Sequence, residues 1–287
     1  MSTQLFLSQL LNGITFGALL FVLASGFSLA FGLMRIVNLA HGAFYLVGGY
    51  LALTVVRSLG TFWGGVAAGA LGILVLGMLT ERALLNRIRG QAMPEILLTV
   101  GLAIALGDLC LWIWGGEPRR IQPPSYLTGA VELGELVYPR FRFFVLLVAV
   151  AVGLGLYVLL YRTRIGLIVR AGVDDREMVS AMGIDVERVS TLVFGIGALL
   201  AGFAGALGGS FLTLLPDVET EILVFGLVVV IIGGLGSIPG AAIGAMLVGL
   251  FDAFGRSLVP ELSYFVLFAP MAVILMLRPR GLMGRPS

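Results

Sequence analysis

The chain has 287 residues, of which 59% are hydrophobic and only 12% charged, with 41 glycines and a formal net charge of +2; its mean hydropathy is +1.07. Such a composition lies outside the soluble globular range and matches a polytopic membrane protein, whose backbone polar groups are satisfied within helices. All 18 basic residues are arginine, Cys110 is the one cysteine and His41 the one histidine, which excludes a P-loop or Schiff-base lysine, an internal disulfide, a zinc cluster and a Cys/His nucleophile pair, while the scattered arginines give no nucleic-acid surface.

The stretch opening MSTQ has no basic residue before Arg35, and its apolar run exceeds the roughly 7 to 15 residues of a signal-peptide core. It reads as a retained membrane helix over 8–33. Further charge-poor stretches of about 20 residues follow at 39–57, 61–80, 95–114, 142–161, 189–212, 221–235, 239–256 and 263–278. The expectation is an all-α, polytopic transmembrane helical bundle of eight or nine spans in one domain, 1–287. The 221–235 piece is short and ends on glycines, so a half-helix or re-entrant element is expected there.

At the start of the second span, Asn38, His41, Gly42 and Tyr45 stand at membrane depth. Polar side chains there either line a bundle interior or mark function. His41 either bonds a neighbouring helix end or meets substrate; Gly42, Gly48 and Gly49 read as close-packing sites. Asp108 in the fourth span and Asp252 in the eighth are candidates to meet a substrate ammonium or a proton, or else sit near helix ends where a carboxylate reaches the interface. Between spans four and five, the 115–141 loop holds four prolines and has a strand-like or irregular texture. It is a connecting loop, a cap over a pore, or a docking surface.

In mid-chain, RAGVDDREMVSAMGIDVER (170–188) has eight charged residues of nineteen. Asp174 with Glu177 three positions on suggests a helix N-cap, and Gly183 a helix stop. A helix of about two turns is unstable alone, so Met178, Ala181 and Met182 offer an apolar face for docking, either on the protein's own body or in a partner's groove. Near the end, Gly236, Gly240 and Gly244 recur every four residues beside Pro239, as tight packing or as a hinge lining the pore. With the charged segment placed inside, Arg35, Arg82, Arg87, Arg89, Arg162, Arg164, Arg170, Arg176, Arg188, Arg278, Arg280 and Arg285 are inner. Six others (57, 119, 120, 140, 142 and 256) are outer. That bias puts the C-terminus in the cytoplasm.

Four blocks together resemble the permeases of branched-chain amino acid ABC importers: GFSLAFGLMRIVNLAHGAFYLVGGYLA with its N-x-A-H-G element, RAGVDDREMVSAMGIDVERVSTLVFGIGALLAGFAG, GGLGSIPGAAIGAMLVG, and the terminal RPRGLMG. The resemblance implies an inner-membrane import pore that hydrolyses nothing itself. ATP and Mg2+ are then held by two cytoplasmic ATPase subunits, a second related permease completes a heterodimer, and a periplasmic binding protein delivers substrate. The 162–188 loop becomes the ATPase-coupling segment, with Ala171, Gly172, Asp174, Arg176, Glu177, Met178, Ala181, Met182 and Gly183 at the contact. Such an importer carries small amino acids or another small solute such as urea, short amides or aromatic acids. A secondary carrier would need paired intramembrane charges and inverted repeats, and a membrane enzyme a nucleophile or metal cluster.

Overall fold

The computed structural model describes residues 2–35, 37–134 and 136–284, with the backbone alone for Leu133, Asp174, Arg176, Ser263 and Tyr264; Arg285 lies outside the described residues. In chain order the helices are α1 (Thr3–Met34), α2 (His41–Leu59), α3 (Phe62–Ala83), α4 (Ala92–Trp114), α5 (Arg140–Arg162), α6 (Arg164–Asp174), α7 (Arg176–Ala181), α8 (Val186–Phe211), α9 (Val218–Gly233), α10 (Ile238–Leu258) and α11 (Ser263–Leu277). Among the described residues, seven are long and apolar enough to cross a membrane: α1 to α5, α8 and α10. The two remaining expected spans are the short helices α9, of 16 residues, and α11, of 15 with Pro270 inside it. At 1.5 Å per residue they reach roughly 24 and 22 Å.

Helix α1 is the axis of the bundle, packed by α5, α8, α9 and α10. In lipid, apolar side chains gain little from leaving their surroundings, so helices associate by van der Waals contact, which small residues permit at close range. That is how α1 is held. A Cβ at Gly13 would lie 2.8 Å from the Leu250 Cα, one at Gly17 2.7 Å from the Ala245 carbonyl oxygen, and one at Gly26 2.5 Å from the Gly197 carbonyl oxygen. A second glycine seam joins α2, α3 and α8, where Gly48, Gly69 and Gly202 press backbone on backbone.

The second span does not begin level with the end of the first. Arg35 closes α1 in the left-handed conformation, φ 54°, and the chain doubles back before α2 starts. There His41 Nε2 lies 3.0 Å from the Leu23 carbonyl, about 16 Å up α1 from its end. Asn38 Oδ1 accepts the Ala40 N–H at 3.1 Å, closing the turn. The polar residues at this depth therefore start a helix inside the bundle.

Helices α4 and α5 sit at the periphery with largely exposed apolar faces. The loop between them forms an antiparallel hairpin of β1 (Ala130–Leu133) and β2 (Leu136–Pro139), in keeping with its strand-like texture. Arg119 pairs with Leu214 in a β-bridge, and the Ile121 N–H donates to Gly209 O at 2.9 Å. The loop is thus strapped across the end of α8.

Replacing Gly26 by Val should force α1 from α8 and cost about 1–3 kcal/mol, lowering the melting midpoint of the detergent-solubilised protein. Gly155→Ala on α5, where an added Cβ meets nothing within 4 Å, should leave that midpoint unchanged.

Candidate functional site

Two cavities lie at opposite ends of α1. At the end bearing the hairpin, a cavity of about 450 Å³ is lined by Asn12, Phe16, Arg142, Glu221, Asp252 and Arg256 among others. At the end bearing α7, one of about 770 Å³ is lined by Ser28, Arg35, Tyr161, Arg170, Gly236 and Pro239 among others. Helices α1, α5 and α10 contribute to both. Both α5 and α10 rest on α1 with little contact between them, so α1 floors a groove that has a cavity at each end. Midway, Gly17 abuts Ala245 and Gly249, and α1 and α10 are closed on each other.

Charge concentrates in the hairpin-end cavity. Arg256 Nε donates to Asp252 Oδ1 at 2.7 Å and its Nη2 to Glu221 Oε1 at 3.0 Å, while the Asp252 side chain is only 14% exposed. Arg142 donates to Asn12 Oδ1 and lies over the Phe211 ring, 4.6 Å from its centroid. Tyr138 from the hairpin donates to the same Asn12 oxygen at 3.2 Å and bonds the Thr15 hydroxyl at 2.7 Å. The expected pathway residue Asp252 is therefore in a cavity, already paired.

The other expected pathway residues are elsewhere. Asn38, His41, Gly42 and Tyr45 line neither cavity; they are buried where α2 meets α1, α8 and α9, with Gly42 against the Glu219 backbone and Tyr45 against Gly205 and Gly208. His41 takes its bonding role, although to mid-helix α1 instead of a helix end. Asp108 is exposed on α4 among exposed Leu109 and Trp112. Sequence reasoning missed Arg142 and Glu221, which join Asp252 in one cavity lining only across the bundle. Arg256, four residues after Asp252 on one helix, was a readable signal.

The glycine–proline block divides its two expected roles. Gly240 and Gly244 press on the Gly233 and Val229 carbonyls of α9, which is packing. Gly236, at φ 79°, forms the turn into α10, where Ser237 Oγ accepts the Gly240 N–H at 3.1 Å. With Pro239 it lines the α7-end cavity. The terminal R-P-R-G-L-M-G stretch is tied beneath α9: the Leu282 and Met283 N–H groups donate to Ile232 O and Gly233 O at 2.8 and 2.9 Å.

In the charged segment a longer helix precedes the expected short one. Asp174 is the last residue of α6, and the cap of α7 is instead Asp175, whose side chain accepts the Met178 N–H at 2.9 Å. The sequence places two aspartates side by side, and the exit of α6 decides which has the extended backbone a cap requires. Gly183, at φ 80°, stops the helix as expected. Val179 is 4% exposed and seats α7 on the protein, whereas Met178 and Met182 are 59% and 73% exposed, and Ala181 and Glu177 are exposed beside them. Ala171 is exposed on α6, and a Cβ at the buried Gly172 would lie 3.0 Å from Leu33 of α1. The same end is braced by a buried Arg89–Glu81 ion pair at 2.5 Å, to which Thr191 of α8 also donates.

The family profile described as "Branched-chain amino acid transport system / permease component" matches residues 9–275. The chain is 30% identical to the high-affinity branched-chain amino acid transport system permease protein LivH of Escherichia coli (strain K12), over 98% of this chain and 96% of that one. It is 28% identical to BraD of Pseudomonas aeruginosa over 98% and 97%, and 27% identical to a second Escherichia coli permease, LivM, over 93% of this chain and 68% of that one. No solved structure matches. A profile match along nearly the whole chain, on a bundle of apolar helices, establishes that this protein belongs to the branched-chain amino acid transport permease family.

Proposed function

We propose that this chain is one permease subunit of an ATP-binding cassette importer that moves branched-chain or closely related small amino acids across a bacterial inner membrane. The near full-length likeness to permeases named for that transport carries the reading. ATP and Mg2+ belong to two cytoplasmic ATPase subunits, a periplasmic binding protein supplies the cargo, and a second homologous permease completes a heterodimer. The likeness to both LivH and LivM, each named as a permease of a high-affinity branched-chain system in one organism, supports such a pairing.

Counting α9 and α11 as crossings gives nine spans, with the N-terminus outside and the C-terminus in the cytoplasm. The arginine bias and the meeting of the C-terminal turn with the far end of α9 support that orientation. The hairpin end then faces the periplasm and α7 the cytoplasm, where its exposed methionines fit a partner's groove as a coupling helix. Substrate runs along the α1 groove between α5 and α10, closed on its open side by the second permease, with Asp252 in the path. Asn38, His41, Gly42 and Tyr45 position α1 beside it.

Affinity purification from gently solubilised native membranes, followed by mass identification, should recover P-loop ATPases and a second permease; recovery of the chain alone would overturn the assignment. Met182→Asp should reduce ATP-linked uptake at least about tenfold, equivalent to roughly 1.4 kcal/mol of coupling contact, with normal membrane levels of the protein. Gly183→Val places a β-branched residue at positive φ, straining the α7 stop by about 1–2 kcal/mol. Its uptake should fall likewise, and unchanged transport in both variants would remove α7 from the coupling role.

A further inference from the structure

We propose that the hairpin-end cavity is a receptor for a zwitterionic α-amino acid: Arg142 takes the carboxylate, Glu221 and Asp252 the ammonium, and Phe16, Phe211 and Phe225 the aliphatic side chain. The proposal rests on the transport reading above and adds a site and its recognition chemistry.

The two signs of charge come from separate walls. Arg142 stands on α5, held against α1 and α8 by Asn12 and by the Phe211 ring. A guanidinium has five N–H donors, so the bond to Asn12 leaves others to take a carboxylate in the planar, paired geometry that arginine favours. Glu221 and Asp252 stand on α9 and α10, joined by Arg256, which engages one oxygen of each. Each carboxylate keeps a second oxygen with its lone pairs, and an ammonium with three N–H donors can bridge them.

The floor between is aromatic: Phe16 meets Phe225 edge-on at 5.3 Å and Phe211 in a stacked arrangement at 6.4 Å. Two arginines and two carboxylates in the lining balance one another, so a zwitterion enters without leaving a net charge, whereas a purely anionic or cationic cargo would leave one unpaired beside the Asp252 side chain, itself only 14% exposed. A volume of about 450 Å³ lies toward the small end of small-molecule sites and suits a free amino acid with some water.

The test uses the assembled transporter in nanodiscs without ATP, with Thr213→Cys as a reporter in the lining and Ser257→Cys as a second; the native Cys110 is buried. A hydrophilic maleimide should label either reporter. Free leucine at tens of millimolar should slow that labelling about fivefold or more, as expected for millimolar affinity. Leucinamide, lacking the carboxylate, and 4-methylpentanoate, lacking the ammonium, should give little protection. Arg142→Gln and Asp252→Asn should each abolish protection by leucine, while Arg142→Lys keeps part of it. Absence of labelling at both reporters, absence of protection by leucine, or equal protection by all three compounds would overturn the proposal. ATP-driven leucine uptake by the wild-type complex reads the importer assignment separately.

Discussion

The fold depends on α1 being approached at backbone distance from two sides at once. Gly13 and Gly17 admit α10, Gly26 admits α8, and no residue with a Cβ fits at these positions without displacing a neighbouring helix. In a bilayer this is the main attraction available between apolar helices, since lipid chains solvate leucine as well as protein does. Everything of functional interest is arranged around this axis: the polar start of α2 bonds to it, both cavities are floored by it, and the segment carrying α7 leans on it.

A close-packed axis also explains why the two cavities are separate. The seam of α1 and α10 is sealed at Gly17 and Ala245, and the cavities open beyond the seal, where Asn12, Phe16 and Asp252 at one end and Ser28, Gly32 and Ala242 at the other line open space. Side chains packed at solid-like density have discrete arrangements instead of a continuum. A continuous opening between the cavities would require α10, α5 or both to move relative to α1 as bodies. The turn through Gly234 and Gly236, both at positive φ, joins α9 to α10, with Gly234 buried against Arg280 and Gly284 of the C-terminal stretch.

The α7 end is joined to the same axis by short contacts. Met178 and Met182 are outward, Val179 ties α7 inward, and α6 rests on α1 where Gly172 faces Leu33. The Glu81–Arg89 pair with Thr191 stiffens α3 and α8 at the same end. A force applied to the exposed face of α7 thus reaches α1 through two short contacts, against a braced background. The cost of burying Glu81 is offset by the ion pair and the hydroxyl together, a geometry that breaks if any one partner is withdrawn.

The sequence by itself determined the membrane class, the places of the nine apolar helices among the described residues, the short helix ending at Gly183 and the glycine block at 236–244, because hydrophobic runs and glycine spacing are local properties. It misplaced the α7 cap by one residue, since Asp174 and Asp175 are equivalent until the end of α6 fixes which is extended. It also grouped Asn38, His41, Gly42 and Tyr45 with Asp108 and Asp252 as one pathway, because depth in a span is all that a polar residue reveals along the chain. Only the tertiary structure separated them: the fold back from Arg35 brings His41 to α1, Gly42 to α9 and Tyr45 to α8, the rotation of α4 leaves Asp108 exposed, and the convergence of α1, α5, α9 and α10 puts Arg142, Glu221 and Arg256 in one cavity lining with Asp252. Which residues meet across a bundle is set by helix rotation and crossing, and those follow from glycine contacts between segments far apart in the chain.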